Sequence, residues 1–273
     1  MDNYLKLMNE VIMLGHDSED RTGTGTLSLF GKRLEFDLRG GFPLVTTKKM
    51  AWDAIKSELL FFIEGSTNER RLAEIHYGKD RSELVGKRTI WTDNYEQQAV
   101  ALGYTDGELG PIYGAQWGDQ LDNVIEGIKE DPYSRRHVVD SWNTYDLPYM
   151  ALPPCHYTYQ FYVRNNTLSC MVTMRSTDLF LGNCFNIASY ALLTHMVAQV
   201  TGLRPVHLIM NLGDTHIYKN HIPQCKKQMT RCPIQEPKLK LNPKIDNIHG
   251  FSMDSIELID YNSYPSIKAE MAV

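Results

Sequence analysis

Apolar residues recur at every third or fourth position along residues 4–15, a spacing that predicts an amphipathic helix. The stretch LSLFGKRLEFDL alternates with a period of two and predicts a hairpin of strands. Residues 51–64, AWDAIKSELLFFIE, return to the helical period and end at Gly65. Residues 65–110 are polar and mixed, with short helices and the pair Ile90-Trp91. Residues 120–130 predict another amphipathic helix, stopped by Asp131-Pro132. HVVDSWN, YTYQFYVR and TLSCMVTMRS read as strands, the last two joined by an Asn-Asn turn at 165–166. FNIASYALLTHMVAQVTG is apolar almost throughout and closes at Gly202. Its polar residues Asn186, Ser189, Thr194, His195 and Gln199 favour a buried core helix over a membrane span. HLIMNLGDTHIY predicts a further strand, and short strands follow in the tail beyond 233. No repeat, linker or low-complexity segment divides the chain. The expectation is one α+β domain over residues 1–273, a mixed β-sheet packed with helices.

Composition narrows the function classes. The chain has 273 residues, 42% hydrophobic and 22% charged, which is ordinary for a globular protein able to bury a large core. The net charge is −5 and no basic run occurs, which argues against a nucleic-acid partner. Local arginines can still hold a small anion. Five cysteines without a CxxC spacing fit neither a disulfide framework nor a zinc site. Free thiols, no metal and a cytoplasmic setting are expected. The N-terminus MDNYLKLMNEVIMLG carries two acids and no long apolar core, so it reads as a helix, not a signal peptide. No membrane partner is expected.

Several residues could carry chemistry. Cys155 follows two prolines in LPPCH, where a stiff backbone would pre-set a thiolate nucleophile; a buried structural cysteine is the other reading. Arg21 opens a Gly/Thr-rich loop, Arg135-Arg136 follow a turn, and Arg175-Ser176 end a strand. Guanidinium groups on separate elements could converge on a phosphate and lower the cysteine pKa, or make unrelated surface ion pairs. His216 and Tyr218 share one face of a strand and could bind a sugar hydroxyl, or pair with each other in the core. Glu58 interrupts an apolar helix, where a raised pKa would suit proton shuttling, unless it faces water on the helix edge.

Taken in order, RTGTGT at 21–26, FPLVTTKK at 42–49, SELLFFIEGSTN at 57–68, GELGPIYGAQW at 107–117, DPYSRRHVV at 131–139, MALPPCH at 150–156, RSTDLFLG, FNIASYALL and GDTHIYKNH resemble the thymidylate synthase family from end to end. The resemblance implies a catalytic group of Cys155, Glu58, His156, Asn186, Asp178 and Arg175. Cys155 would attack C6 of the uracil of deoxyuridylate (dUMP), and Glu58 with His156 would organise the waters that move protons. Arg21, Arg175, Ser176 and Gln160 would bind the nucleotide in one subunit. Arg135 and Arg136 would reach its phosphate from the partner, in a homodimer formed through the sheet. Asn186 would read the uracil edge, and His216 and Tyr218 the 3′-hydroxyl. Trp91, Asp178, Leu181, Gly182, Phe185 and the terminal Met271-Ala272-Val273 would embrace the co-substrate 5,10-methylenetetrahydrofolate, with Lys48 at the folate's glutamate tail. The stretches at Asn94-Tyr95-Glu96 and Gly103-Tyr104 resemble bacteriophage synthases, which would place the enzyme in a host cytoplasm.

The departures from the family pattern gather on the folate side. Thr92 stands where aspartate is usual, Gly118 for arginine, Met174 for glutamine, Asn183-Cys184 where a proline precedes Phe-Asn-Ile, and Asn211 for a small or hydroxyl residue. They point to the hydroxymethylase branch, in which water adds to the C5-methylene intermediate. The alternative is thymidylate synthase itself, which Trp91 and the closing C-terminus favour. A catalytically dead relative that only binds nucleotide or RNA is the third reading, and intact Cys155, Glu58, Asn186 and Arg175 speak against it.

Overall fold

The computed structural model describes residues 1–20 and 23–270. In chain order the elements are α1 (Asp2–Leu14), β1 (His16–Ser18), β2 (Thr26–Asp37), α2 (Trp52–Ile63), α3 (Glu69–Tyr77), a single turn α4 (Thr92–Asn94), α5 (Tyr113–Glu130), β3 (Val138–Asp140), β4 (His156–Arg164), β5 (Thr167–Asp178), α6 (Asn183–Val200), β6 (Arg204–Tyr218), α7 (Ile222–Met229), β7 (Lys238–Leu241) and β8 (Ile256–Ile259). Six strands form one mixed sheet in the order β1-β2-β6-β5-β4-β3, and β7 pairs with β8 apart from it. The α+β expectation holds.

Among the described residues the only parallel pair is β5 with β6, because α6 crosses between them. This helix lies in the core, with Ile187, Ala188, Ala191, Leu192 and Leu193 wholly buried. Two of its polar residues find partners there: Thr194 donates to the Tyr190 carbonyl at 2.6 Å, and Gln199 to the carbonyls of Asn242 and Ile245. Leu168, Cys170, Val172 and Met174 of β5 face the same core, as do Leu208, Met210 and Leu212 of β6. The opposite sheet face, with Tyr162 and Met171, is exposed in the single chain. On α1 the buried residues are Tyr4, Leu7, Met8 and Val11, one stripe at helical spacing.

Three expectations change. LSLFGKRLEFDL is no hairpin. All of it but Leu38 lies in one strand, β2, paired with β6 in a single register from Thr26 opposite Tyr218 to Asp37 opposite His207. Gly31 takes a positive φ of 75° without turning the chain. The helix expected over 120–130 extends back to Tyr113 across a break at Gly118, whose φ of 29° and ψ of −129° suit glycine. Finally, the HVVDSWN strand is only three residues long, since the Asp140 carboxylate accepts the Trp142 N–H and turns the chain away.

Candidate active site

Cys155 sits between the Pro153-Pro154 turn and the first residue of β4. The neighbouring strand clamps it, because the Arg175 N–H donates to the Cys155 carbonyl at 2.8 Å. The Arg175 guanidinium then reaches back over the turn. Its Nε donates to the Pro154 carbonyl at 2.8 Å and its Nη2 to the Pro153 carbonyl at 2.9 Å, and Nη2 lies 3.7 Å from Cys155 Sγ. Gly213 on β6 is required beside this clamp, since a Cβ there would stand 2.5 Å from the Arg175 carbonyl oxygen. The expected lowering of the thiol pKa does not occur. Burial pushes the Cys155 thiol up, and the Arg175 charge offsets only part of that rise.

Behind the thiol lies an aromatic wall. The Cys155 backbone N–H donates to the Tyr113 hydroxyl at 2.7 Å. Tyr113 stacks on His156, with ring centroids 4.1 Å apart and planes 13° from parallel. His156 shares a 2.7 Å hydrogen bond with the Tyr190 hydroxyl. Burial lowers the His156 pKa to about 3, so the ring is neutral at pH 7 and serves as a packed spacer.

Glu58 lies one ring further on, half-buried on α2. Burial raises its pKa to about 7, while hydrogen bonding from the Trp91 indole pulls the other way. Trp91 Nε1 donates to Glu58 Oε1 at 2.8 Å, and the Trp91 and Tyr113 rings lie 6.1 Å apart. A carboxyl near pH 7 both gives and takes a proton readily. Cys155, Tyr113, Trp91 and Glu58 thus form one contiguous chain of contacts.

On the other side, Ser176 pairs with Asp214 and Asp178 with His216 across β5 and β6. His216 Nδ1 lies 2.8 Å from Asp214 Oδ1, and the Ser28 hydroxyl donates to the same oxygen at 3.1 Å. That hydrogen bond from His216 is the main cause of the lowered Asp214 pKa. Tyr218 meets the His216 ring edge-on at 5.2 Å. Asp178 spends its carboxylate on the N–H groups of Phe180 at 2.8 Å and Leu181 at 3.3 Å. It thereby shapes the loop that carries Leu181, Gly182 and Phe185 into the first turn of α6, where Asn186 is half-buried.

Other expected residues are placed differently. Lys48 is buried, its ammonium on the Phe180 carbonyl and 3.8 Å from the Phe180 ring centroid, whereas Lys49 is exposed. Gln160 donates to the Arg135 carbonyl at 3.3 Å, so it supports the arginine segment from β4. Arg135 and Arg136 are exposed and make no ion pair among the described residues. Arg21 and Met271 to Val273 lie outside the described residues. Tyr113 and Tyr190 were missed as contributors. The motif GPIYGAQW contains Tyr113, but nothing local reveals that its hydroxyl meets Cys155. Among the described residues no group of three or more His, Cys, Asp or Glu side chains could hold a metal, and no helix is long and apolar enough to cross a membrane.

The family model described as thymidylate synthase matches residues 2–273. A protein of Escherichia phage T5 described as a probable thymidylate synthase is 48% identical over 282 residues, covering 100% of both chains.

Proposed function

The chain belongs to the thymidylate synthase family, and from that premise we propose that it transfers a one-carbon unit from 5,10-methylenetetrahydrofolate to C5 of dUMP and reduces it to a methyl group. The observation that carries the reading is the chain of contacts from Cys155 through Tyr113 and Trp91 to Glu58. It sets a nucleophile at one end and a carboxyl tuned near neutrality at the other. Cys155 adds to C6 of the uracil and so makes C5 nucleophilic. Glu58 relays the proton that C5 gives up. Asn186 reads the base, His216 and Tyr218 the sugar, and Arg175 and Ser176 the phosphate, joined by Arg21.

Trp91, Leu181 and Phe185 offer apolar surface that suits the flat ring of the folate, which supplies the carbon and the reducing hydride. Lys48, turned inward, does not present its charge to a glutamate tail; the exposed Lys49 beside it does. Arg135 and Arg136 complete the phosphate site of a second copy, with the open sheet face between the two. A phage source, and with it a host cytoplasm, fits the relative's origin.

We take reduction as the reading because the relative from Escherichia phage T5 is described as a probable thymidylate synthase. Met174 and Cys184 are buried in the core, and Thr92 and Asn183 are buried with their side chains hydrogen-bonded to Glu69 and Thr177. Gly118 occupies a helix break, and Asn211 pairs with Arg33 and Thr173 within the sheet. None of the six hydrogen-bonds to Cys155, Glu58 or Trp91 among the described residues. One observation favours the hydroxymethylase reading: Asn183 Oδ1 is buried without a partner among the described residues, and a water could satisfy it. The test is to incubate the enzyme with dUMP and methylenetetrahydrofolate, follow dihydrofolate absorbance and weigh the nucleotide. Stoichiometric dihydrofolate with a methylated product is expected, and none from Cys155→Ser. Tetrahydrofolate with a hydroxymethylated product would overturn the reduction. No product, and no covalent adduct with 5-fluoro-deoxyuridylate, would reduce the chain to a binding protein.

A further inference from the structure

Glu69 opens α3 with its residue wholly buried. A buried carboxylate is costly unless its oxygens are filled. Here Arg70 grips both oxygens, and two hydroxyls donate to Oε1: Thr89 at 2.7 Å and Thr92 at 2.6 Å. Both hydroxyls are used twice. Thr92 Oγ1 accepts the Thr89 backbone N–H at 2.7 Å, and Thr89 Oγ1 accepts the Trp91 backbone N–H at 3.2 Å. Arg70 Nη1 adds a 2.9 Å bond to the Lys87 carbonyl. The whole segment 87–92 therefore hangs on one buried charge. Trp91 is the residue of that segment whose indole reaches the site.

We propose that Glu69 is a positioning residue for Trp91: through Thr89 and Thr92 it fixes the loop from which the indole donates to Glu58. The proposal rests on the reading of Glu58 as the proton-handling group. Hydrogen bonds weaken steeply as length and angle depart from the optimum, so a small displacement of the loop loosens the indole from the carboxylate. That bond stabilises the ionised form, so loosening it strengthens the hold of Glu58 on its proton. The arrangement also accounts for Thr92. The aspartate usual at that place would set a second carboxylate against Glu69, whereas a threonine hydroxyl donates to it. Acid at 69 and hydroxyl at 92 belong together.

The test reads the pH titration of the Trp91 indole N–H by nitrogen NMR, assigned by its loss in Trp91→Phe, beside the pH profile of kcat. In the wild type both should turn near pH 7. Thr92→Val keeps the shape and removes the hydroxyl. It should move both midpoints up by about half a unit or more, a threefold change in proton affinity. The nucleotide KM should stay within about twofold, and Thr92→Ser should restore the wild-type profile. Should Thr92→Val fail to fold, Thr89→Val cuts the other arm with the same readout. An indole titration unchanged in the folded variants would overturn the proposal, whatever happens to turnover. If the indole midpoint moves while kcat shows no group near pH 7 even in the wild type, the positioning stands and the proton role of Glu58 falls.

Discussion

The Cys155 backbone N–H and the Tyr113 hydroxyl oxygen lie 2.7 Å apart, which ties the nucleophile's main chain to a ring stacked on His156. Tyr113 is thus fixed by packing on one side and fixes Cys155 on the other. Two prolines stiffen the chain before the thiol, and this bond sets its depth.

Tyr113→Phe keeps the stack and removes that acceptor. A buried N–H left unmade costs about 1–3 kcal/mol. We expect kcat to fall roughly tenfold to a hundredfold with the fold retained. Steady-state kinetics alongside near-ultraviolet circular dichroism check this. Unchanged kcat would mean that the bond does not set the thiol's position.

Glu58 gives stability an unusual slope. Its pKa rises from 4.5 to about 7 on folding, so the folded state binds the extra proton between those values. Stability therefore falls as pH rises through that window. Glu58→Gln should melt higher than wild type at pH 8, with the gap closing toward pH 4.5. Melting curves across that range test it, and a constant gap would contradict the buried-acid reading.

The histidines act in the opposite sense. Burial lowers His156 to about 3 and His195 to about 4, while the unfolded chain protonates near 6.5. Their contribution is complete above pH 6.5 and is lost as pH falls toward 3. An acid-side decline in melting temperature is expected, and it should shrink in His195→Gln. A decline of equal size in that variant would exclude His195 as a contributor.

Thr92→Asp should destabilise the fold by about 3 kcal/mol or more, because it leaves a second charge unpaired beside Glu69. Chemical denaturation measures the loss. Pairing it with Glu69→Gln should recover part of the stability. A neutral effect of Thr92→Asp would show that the pocket admits two carboxylates.

Arg136→Ala should raise the dUMP KM about tenfold, the worth of a charge-assisted hydrogen bond. In hybrid dimers with Cys155→Ser subunits, the active site left with an intact Cys155 should regain the normal KM. A monomer in sedimentation at micromolar concentration would rule out the shared site.

Much of this was legible in the order of residues. Strand alternation, the Asn165-Asn166 turn with both φ values positive, and the apolar α6 follow from local rules of sterics and burial. The candidate residues Cys155, Glu58, Arg175 and His216 lie in motifs that are contiguous in the chain. What the sequence could not decide is which polar groups are already spent. Lys48, expected at the folate's glutamate tail, is buried against Phe180. His156, expected beside Glu58 among the proton-moving waters, is buried and neutral at pH 7. Glu69, which no motif singles out, hydrogen-bonds Thr89 and Thr92 on either side of Trp91. Periodicity and motif are properties of neighbours in the chain, but desolvation and hydrogen-bond partnership belong to neighbours in space. Glu58 and Trp91, separated by 33 positions, meet only when α2 packs beneath the 89–92 loop, and that contact helps set the pKa of Glu58.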